Sequence, residues 1–123
     1  MKITQIAFSG IPVTDMKRAR EFYEGVLVLQ PDPELTGEMW TEYPIRSGTL
    51  AIACIGDPRK PSNQGTSVAL EVESLEDALA RLREHKIEFD EVDSPVCRMA
   101  VIEDPDGNKV IIHKVKTEAE ETA

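Results

Sequence analysis

The sequence is poor in cysteine and aromatic residues and has no long apolar run. Its only cysteines among 123 residues, Cys54 and Cys97, lie far apart and match no CxxC pattern. This excludes a disulfide framework of the secreted type, so we expect two reduced thiols in a cytoplasmic protein. No stretch approaches the ~18 apolar residues of a membrane span, and we expect no signal peptide and no membrane partner.

Positive charge is also scarce. Lys and Arg number 14 against 23 Asp and Glu, which gives a net charge of −9. A surface of this sign does not suit a phosphate backbone, so we expect no nucleic-acid partner. Part of the acidic excess lies in residues 116–123, which we predict to be an acidic tail. Residues 1–115 are long enough to form one compact domain.

The chain contains an internal repeat. Residues 70–75 echo residues 11–16, an offset of 59, and in both copies an apolar alternation leads into a residue suited to start a helix. The same offset relates the hairpin glycines Gly48 and Gly107. The repeat predicts two similar halves, over about residues 3–56 and 65–115, in one register with no net insertion.

Each half has the pattern of a strand, a helix and three strands. Asp15 and Ser74 are suited to cap the two helices. Apolar alternation places the strands at residues 6–13, 27–35, 39–45, 49–55, 66–72, 87–92, 96–102 and 109–115. An α+β fold of two βαβββ repeats follows, with two curved sheets around a central groove and the helices outside. By alternation, Phe8 and Ser67 face the groove, because Ile11 is on the helix side.

Two sequence motifs lie near the beginning and near the end of the repeat. The first is Val-Thr-Asp at residues 13–15 followed by Glu-Phe-Tyr-Glu-Gly-Val-Leu at residues 21–27, and the second is Asp-Pro-Asp-Gly-Asn at residues 104–108. Together they resemble the vicinal-oxygen-chelate superfamily, which contains glyoxalase I, bleomycin-resistance proteins, fosfomycin-resistance enzymes and extradiol dioxygenases. The resemblance covers about residues 3–115. Val28 departs from it, because the family usually has Gly there.

The resemblance also implies where a metal would sit. Metal-dependent members hold a divalent ion with His and Glu side chains on strands one, four, five and eight. The corresponding positions here are Phe8, Ile52, Ser67 and Ile111. A divalent ion needs carboxylate, imidazole or thiolate ligands, and none of these four residues supplies one. We therefore predict a member of the superfamily with no metal and no cofactor.

Other residues offer alternatives. His113 and Cys54 are separated by the repeat offset and lie two residues beyond empty ligand positions, so a rebuilt metal site with Glu71 as a third ligand is one alternative. His113 is otherwise a surface residue, or an acid–base group or hydrogen-bond donor of the groove. Arg98 is suited to an anionic ligand or to a surface ion pair with Glu103 or Glu42. The predicted ligand-binding residues are Phe8, Trp40, Ile52, Cys54, Ser67, Arg98, Ile111 and His113.

Three functions are compatible with this pattern. The first is metal-independent binding of a small apolar or aromatic ligand, as the resemblance to bleomycin-resistance proteins implies. The second is a diverged glyoxalase-like lyase or isomerase, or a dioxygenase-related enzyme, with no metal or a relocated one. The third is a partner-binding regulatory module. The resemblance also implies a homodimer, which is the commonest oligomer of soluble proteins.

Overall fold

The computed structural model describes residues 2, 4, 6–56, 60–62 and 67–116. The chain divides into two compact units, Met1–Pro61 and Ser62–Ala123. Each unit contains one sheet and one main helix, so the predicted α+β class is confirmed. The predicted acidic tail lies outside the described residues from residue 117 onward. Within the described part of the chain, no helix is both long enough and apolar enough to cross a membrane.

The first unit is a three-stranded sheet with a helix on one face. Its elements are β1 (Ser9–Pro12), α1 (Met16–Arg20), a π-helical segment (Glu21–Val26), a 3₁₀ turn (Pro33–Leu35), β2 (Trp40–Ile45) and β3 (Gly48–Ala53). The strand order is β1-β3-β2, with β1 parallel and β2 antiparallel to β3. The two-residue loop between β2 and β3 leaves Ile45 paired with Gly48.

The helix of the first unit starts as the sequence predicts and then widens. The Asp15 carboxylate accepts the Arg18 backbone N–H at 3.0 Å, which caps α1. After Arg20 the hydrogen bonds join residues five apart, as in a π-helix. The Leu27 N–H, for example, donates to the Phe22 carbonyl at 3.1 Å. The wider turn lets the consecutive residues Phe22 and Tyr23 both be buried.

The strand predicted at residues 27–35 does not form. Pro33 opens a 3₁₀ turn there, and the Asp32 side chain caps it by accepting the Glu34 N–H at 3.0 Å. Val28 has φ near 60°, in the left-handed region. Local capping and proline therefore override the apolar alternation that predicted a strand. The first half of the βαβββ pattern lacks this strand.

Val28 adopts a conformation that suits glycine better. A β-branched residue at positive φ is strained, and 54% of the Val28 side chain is exposed, so it has little burial to lose. We expect Val28→Gly to raise the free energy of unfolding by about 1 kcal/mol, measured by urea denaturation. Val96→Gly is the matched control, since Val96 is an exposed valine without a positive φ. It should be neutral or destabilising; equal effects of both substitutions would contradict the account.

The second unit is a four-stranded sheet with one long helix. Its elements are β4 (Val68–Glu71), α2 (Leu75–Glu84), β5 (Asp90–Asp93), β6 (Cys97–Glu103) and β7 (Lys109–Val115), and the strand order is β4-β7-β6-β5. As predicted, the Ser74 hydroxyl caps α2, accepting the Asp77 N–H at 3.2 Å. Leu75, Leu79 and Leu82 form the buried stripe of α2, which packs on β6 and β7.

The two units repeat each other with a one-residue shift in the last strand. Ile11 pairs with Ile52 in the first unit, and Leu70 pairs with Ile112 in the second. The offset is therefore 59 residues for β1 and β4 but 60 for β3 and β7. The hairpin between β6 and β7 causes the shift: two residues separate the paired Ile45 and Gly48, whereas three separate the corresponding Asp104 and Asn108. The prediction of one register without insertion is wrong at this hairpin.

Candidate functional site

The helix-side face of the first sheet is closed by packing. Ile52 shares this face with its strand partners Ile11 and Thr41, and its side chain has no exposure. The Thr41 hydroxyl lies 3.4 Å from the sulfur of Met16 in α1. Ile52 was predicted to face the ligand, and this is corrected: a one-residue slip reverses the face of a strand residue. Cys54, half-buried just past β3, continues the alternation of Ile52, so its predicted place beside the ligand is corrected too.

An ion pair and a tyrosine join the π-helical segment to the same face. Arg20 binds Glu24 through two nitrogens at 2.6 and 3.1 Å, and the Tyr43 hydroxyl donates to Glu24 at 2.9 Å. These bonds, that of Arg20 first, lower the pKa of Glu24. Burial, and then the Glu24 hydrogen bond, raise the pKa of Tyr43. Tyr43 also stacks on Tyr23 and is fully buried, so the cluster holds the helix on the sheet.

The lowered pKa of Glu24 predicts a pH-dependent contribution to stability. The contribution is complete above the ordinary carboxyl pKa and is lost as pH falls through the lower pKa of the folded state. We expect Glu24→Gln to cost on the order of 1–2 kcal/mol near neutral pH and less in acid. Urea denaturation across that range measures it. Glu34→Gln is the control that leaves the cluster intact; a constant effect of Glu24→Gln at all pH values would contradict the prediction.

The opposite face of the first sheet, its open face, carries an aromatic pair. The rings of Phe8 and Trp40 meet edge to face with centroids 5.1 Å apart. The Trp40 indole N–H donates to the Glu42 carboxylate at 2.8 Å, which fixes the ring. The Phe8 side chain is 42% exposed. Phe8 and Trp40, two of the predicted ligand-binding residues, are thus in contact on this face.

Two pockets of the first unit lie away from the predicted ligand residues. One, of about 540 Å³, is lined by residues of the helix and the loop before β2, among them Arg20, Glu24 and Gly37. The other, of about 620 Å³, lies at the β2–β3 hairpin beside Ile6 and Arg46. Both are wide and shallow, and the charged groups named in the first are already engaged with each other. Neither pocket gathers groups suited to a reaction.

The open face of the second sheet, opposite α2, is largely apolar; it carries a polar pair and, on the edge strand β5, Asp90. Because paired residues share a face, β-pairing places two rows across the four strands. The first row is Val92, Met99, His113 and Glu71, and the second is Asp90, Val101, Ile111 and Ala69. Val92 is 45% exposed. Ser67 precedes β4 and continues the alternation of Ala69, so three predicted ligand residues, Ser67, Ile111 and His113, share this face.

The polar pair is a histidine fixed by a carboxylate. His113 Nδ1 lies 2.6 Å from one oxygen of Glu71, and the Val115 N–H donates to the other at 2.9 Å. These two contacts, that of His113 first, lower the pKa of Glu71. An ionised carboxylate only accepts hydrogen bonds, so Nδ1 carries the proton. The sequence predicted Glu71 only as a third metal ligand. Glu71 and His113 are 42 residues apart in the chain, and no local pattern indicates that their side chains pair.

Arg98 lies on the other face of the second sheet. Its guanidinium contacts Glu76 of α2 at 3.0 Å and Glu91 of β5 at 3.2 Å. The predicted role beside the ligand is corrected, because its strand position places the side chain on the helix side. The ion pairs predicted as an alternative exist, but with partners other than the Glu103 or Glu42 considered. These partially exposed pairs add little to stability.

The sequence itself decides the family. The profile of the Glyoxalase/Bleomycin resistance protein/Dioxygenase superfamily matches residues 2–112. The chain belongs to this superfamily. The predicted relationship is thereby confirmed over nearly the whole described chain. No curated protein matches the chain.

Solved structures of the superfamily fold are similar to this chain. TnmS3, an antibiotic-binding protein from Streptomyces sp. CB03234, has 22% identity and a TM-score of 0.77, over 94% of this chain and 99% of that one. Lactoylglutathione lyase from Agrobacterium tumefaciens has 15% identity and a TM-score of 0.74, over 92% and 95%. A superfamily member from Sphaerobacter thermophilus DSM 20745 has 24% identity and a TM-score of 0.71, over 91% and 98%.

The residues at the metal positions of the superfamily do not fit a metal. In the observed strand register, Ala51 and not Ile52 corresponds to Ile111. Gly10 and Ala69 are equivalent in the repeat, and they pair with Ala51 and Ile111 respectively. The set is then Phe8, Ala51, Ser67 and Ile111, which offers one hydroxyl and no carboxylate, imidazole or thiolate. Over the described ranges, no three His, Cys, Asp or Glu side chains converge as metal ligands would. The donor set, in either register, is unsuited to a divalent ion.

Proposed function

We propose that this superfamily domain binds a small apolar or aromatic molecule on the open face of its second sheet, without a metal. The observation that carries the proposal is the composition of that face. Val92, Met99, Val101 and Ile111 surround one histidine–carboxylate pair. An apolar surface with few convergent polar groups is typical of small-molecule sites. The antibiotic-binding TnmS3 supports this function, as a relative in fold.

The energetics favour an apolar ligand. Each Å² of apolar ligand surface buried on Met99, Val101 and Ile111 contributes roughly 25 cal/mol before ordering costs. A charged ligand would lose hydration there and find few polar groups in return, namely the His113–Glu71 pair, Ser67 and Asp90 at the edge. On the first sheet, the Phe8–Trp40 pair offers a second exposed surface for a planar group. Apolar and aromatic ligands should therefore outrank strongly polar ones.

A lyase or isomerase is the second candidate function, and one observation favours it. His113 with Glu71 has the arrangement of an oriented acid–base group, which could move a proton on a bound molecule. The lactoylglutathione lyase from Agrobacterium tumefaciens shares the fold. In a reaction of that kind, His113 would be the group that accepts or donates the proton. Loss of turnover in His113→Phe, with ligand binding retained, would distinguish it from binding alone.

We further propose a homodimer in the cytoplasm. Two-fold pairing is the commonest assembly of soluble domains. The exposed valines Val96 and Val115 provide apolar surface for a second copy of the chain. Cys54 and Cys97 are both free thiols, which suits a reducing compartment. Sedimentation at micromolar concentration should give the mass of two chains, and the mass of one would contradict the dimer.

The binding proposal is tested with the neutral fluorescent probe N-phenyl-1-naphthylamine. We expect saturable binding to the protein and a loss of at least about tenfold in affinity in Ile111→Glu, which places a charge on the face. Ile45→Glu is the matched control, because Ile45 is an exposed isoleucine of the first sheet, and it should bind as the native protein does. Equal binding by both variants would refute the face. A probe that binds only when the protein is monomeric would show that a second copy occupies the face.

A further inference from the structure

The hydrogen-bonding state of His113 follows from the contacts of Glu71. Both carboxylate oxygens of Glu71 are occupied, one by His113 Nδ1 and one by the Val115 N–H. The lowered pKa of Glu71 keeps the carboxylate ionised near neutral pH. Since the carboxylate holds the proton on Nδ1, the neutral ring presents a lone pair at Nε2. Among the described residues, Nε2 has no hydrogen-bond partner, although the side chain is only 28% exposed.

The surroundings of the ring define what would satisfy this nitrogen. On β4 the ring meets Glu71, and on β6 its partner is Met99, which is uncharged. The next residue of β7, Lys114, is on the helix side by alternation. Of these strand neighbours, the Glu71 carboxylate is therefore the charged group that faces the ring. The carboxylate fixes the tautomer and the orientation of the imidazole, as in carboxylate–histidine pairs generally.

We propose that the Glu71–His113 pair binds the acidic hydroxyl of an aromatic ligand, a phenol or an enol, by accepting its proton at Nε2. The inference rests on the proposed function and specifies its ligand class. The aromatic ring lies on Met99, Val101 and Ile111, and its hydroxyl is directed at Nε2. For sufficiently acidic phenols the O–H bond breaks and an N–H bond forms. The product is a phenolate beside an imidazolium, which the Glu71 carboxylate stabilises.

The pair p-nitrophenol and p-nitroanisole tests the proposal, because the two probes differ by replacement of the acidic hydrogen with a methyl group. We expect the native protein to bind the phenol about tenfold more tightly than the ether. We also expect binding to increase the yellow phenolate absorbance at a pH where the free probe is partly ionised. His113→Phe should abolish both the preference and the absorbance change while p-nitroanisole still binds. Glu71→Gln should diminish the absorbance change.

The outcomes separate this inference from the function on which it rests. Equal affinity for the two probes, or a phenolate signal that persists in His113→Phe, would overturn the role of the pair and leave apolar binding intact. Failure of both probes and of N-phenyl-1-naphthylamine to bind would overturn both. Circular dichroism and thermal unfolding of each variant confirm that it is folded, so that lost binding is not lost structure.

Discussion

Ile52→Glu should leave no stably folded protein, whereas Ile111→Glu should fold. Ile52 is fully buried on the helix side of its sheet, and Ile111 is half-buried on an open face. An unpaired carboxylate at Ile52 would cost more than about 5 kcal/mol, comparable with the whole stability of a domain of this size. At Ile111 the carboxylate keeps access to water, and we expect a cost of about 1–2 kcal/mol, as is usual for single substitutions. Far-UV circular dichroism and urea denaturation measure both variants.

The comparison is informative because an uninterrupted repeat would make these two residues equivalent. Ile52 and Ile111 are 59 residues apart, which is the offset of the repeat. Equal losses of stability in Ile52→Glu and Ile111→Glu would contradict the one-residue shift of register between β3 and β7. Ile52→Val, a conservative change, should cost only about 1 kcal/mol and shows that the site tolerates an aliphatic residue.

Asp104→Ala should lower the free energy of unfolding by about 2–4 kcal/mol. The carboxylate of Asp104 is buried and accepts the backbone N–H groups of Asp106 and Asn108 at 2.9 Å. It also accepts the Asn108 side-chain amide at 2.9 Å. Alanine would remove the acceptor from three donors and leave the buried amides of Asn108 unsatisfied. Equilibrium urea unfolding gives the measurement.

Glu103→Ala is the matched control for the turn. Glu103 is the adjacent acid, largely exposed, and pairs with Lys109 at 2.9 Å on the surface. Its removal should cost no more than about 0.5 kcal/mol. Equal costs at Glu103 and Asp104 would show that charge, and not the hydrogen bonds of the turn, determines the effect. These bonds form the turn of the Asp-Pro-Asp-Gly-Asn motif at residues 104–108, and Gly107 supplies its positive φ.

Much of the fold is predictable because local signals agree with packing. The caps at Asp15 and Ser74, the leucine stripe of α2 and the strand of residues 109–115 all follow from side-chain chemistry and periodicity. The missing strand at residues 27–35 is different. Its apolar residues alternate, but proline and the Asp32 cap select a turn, which a pattern of hydrophobicity does not register.

The site is less predictable because faces depend on register. An error of one residue at the longer β6–β7 loop moved Ile52 and Cys54 to the wrong face in the prediction. Arg98 was predicted on the wrong face for a different reason. Along β6 it alternates with Cys97 and Met99, so its side chain lies on the opposite face from theirs. The apolar row of Val92 and Met99 was missed, although alternation along Cys97, Met99 and Val101 could have revealed it. Glu71 and His113 come together only through parallel pairing of distant strands.

Amide chemical-shift mapping with N-phenyl-1-naphthylamine tests the central claim most directly. The account predicts that shifts upon titration concentrate on β5, β6 and β7, at Val92, Met99, Val101, Ile111 and His113, and that Ile111→Glu removes them. Helix α2, on the other side of the sheet, should change little. Shifts concentrated on α2 or on the pocket beside Arg20, with the open face of the second sheet unchanged, would contradict the proposal that this face binds the ligand.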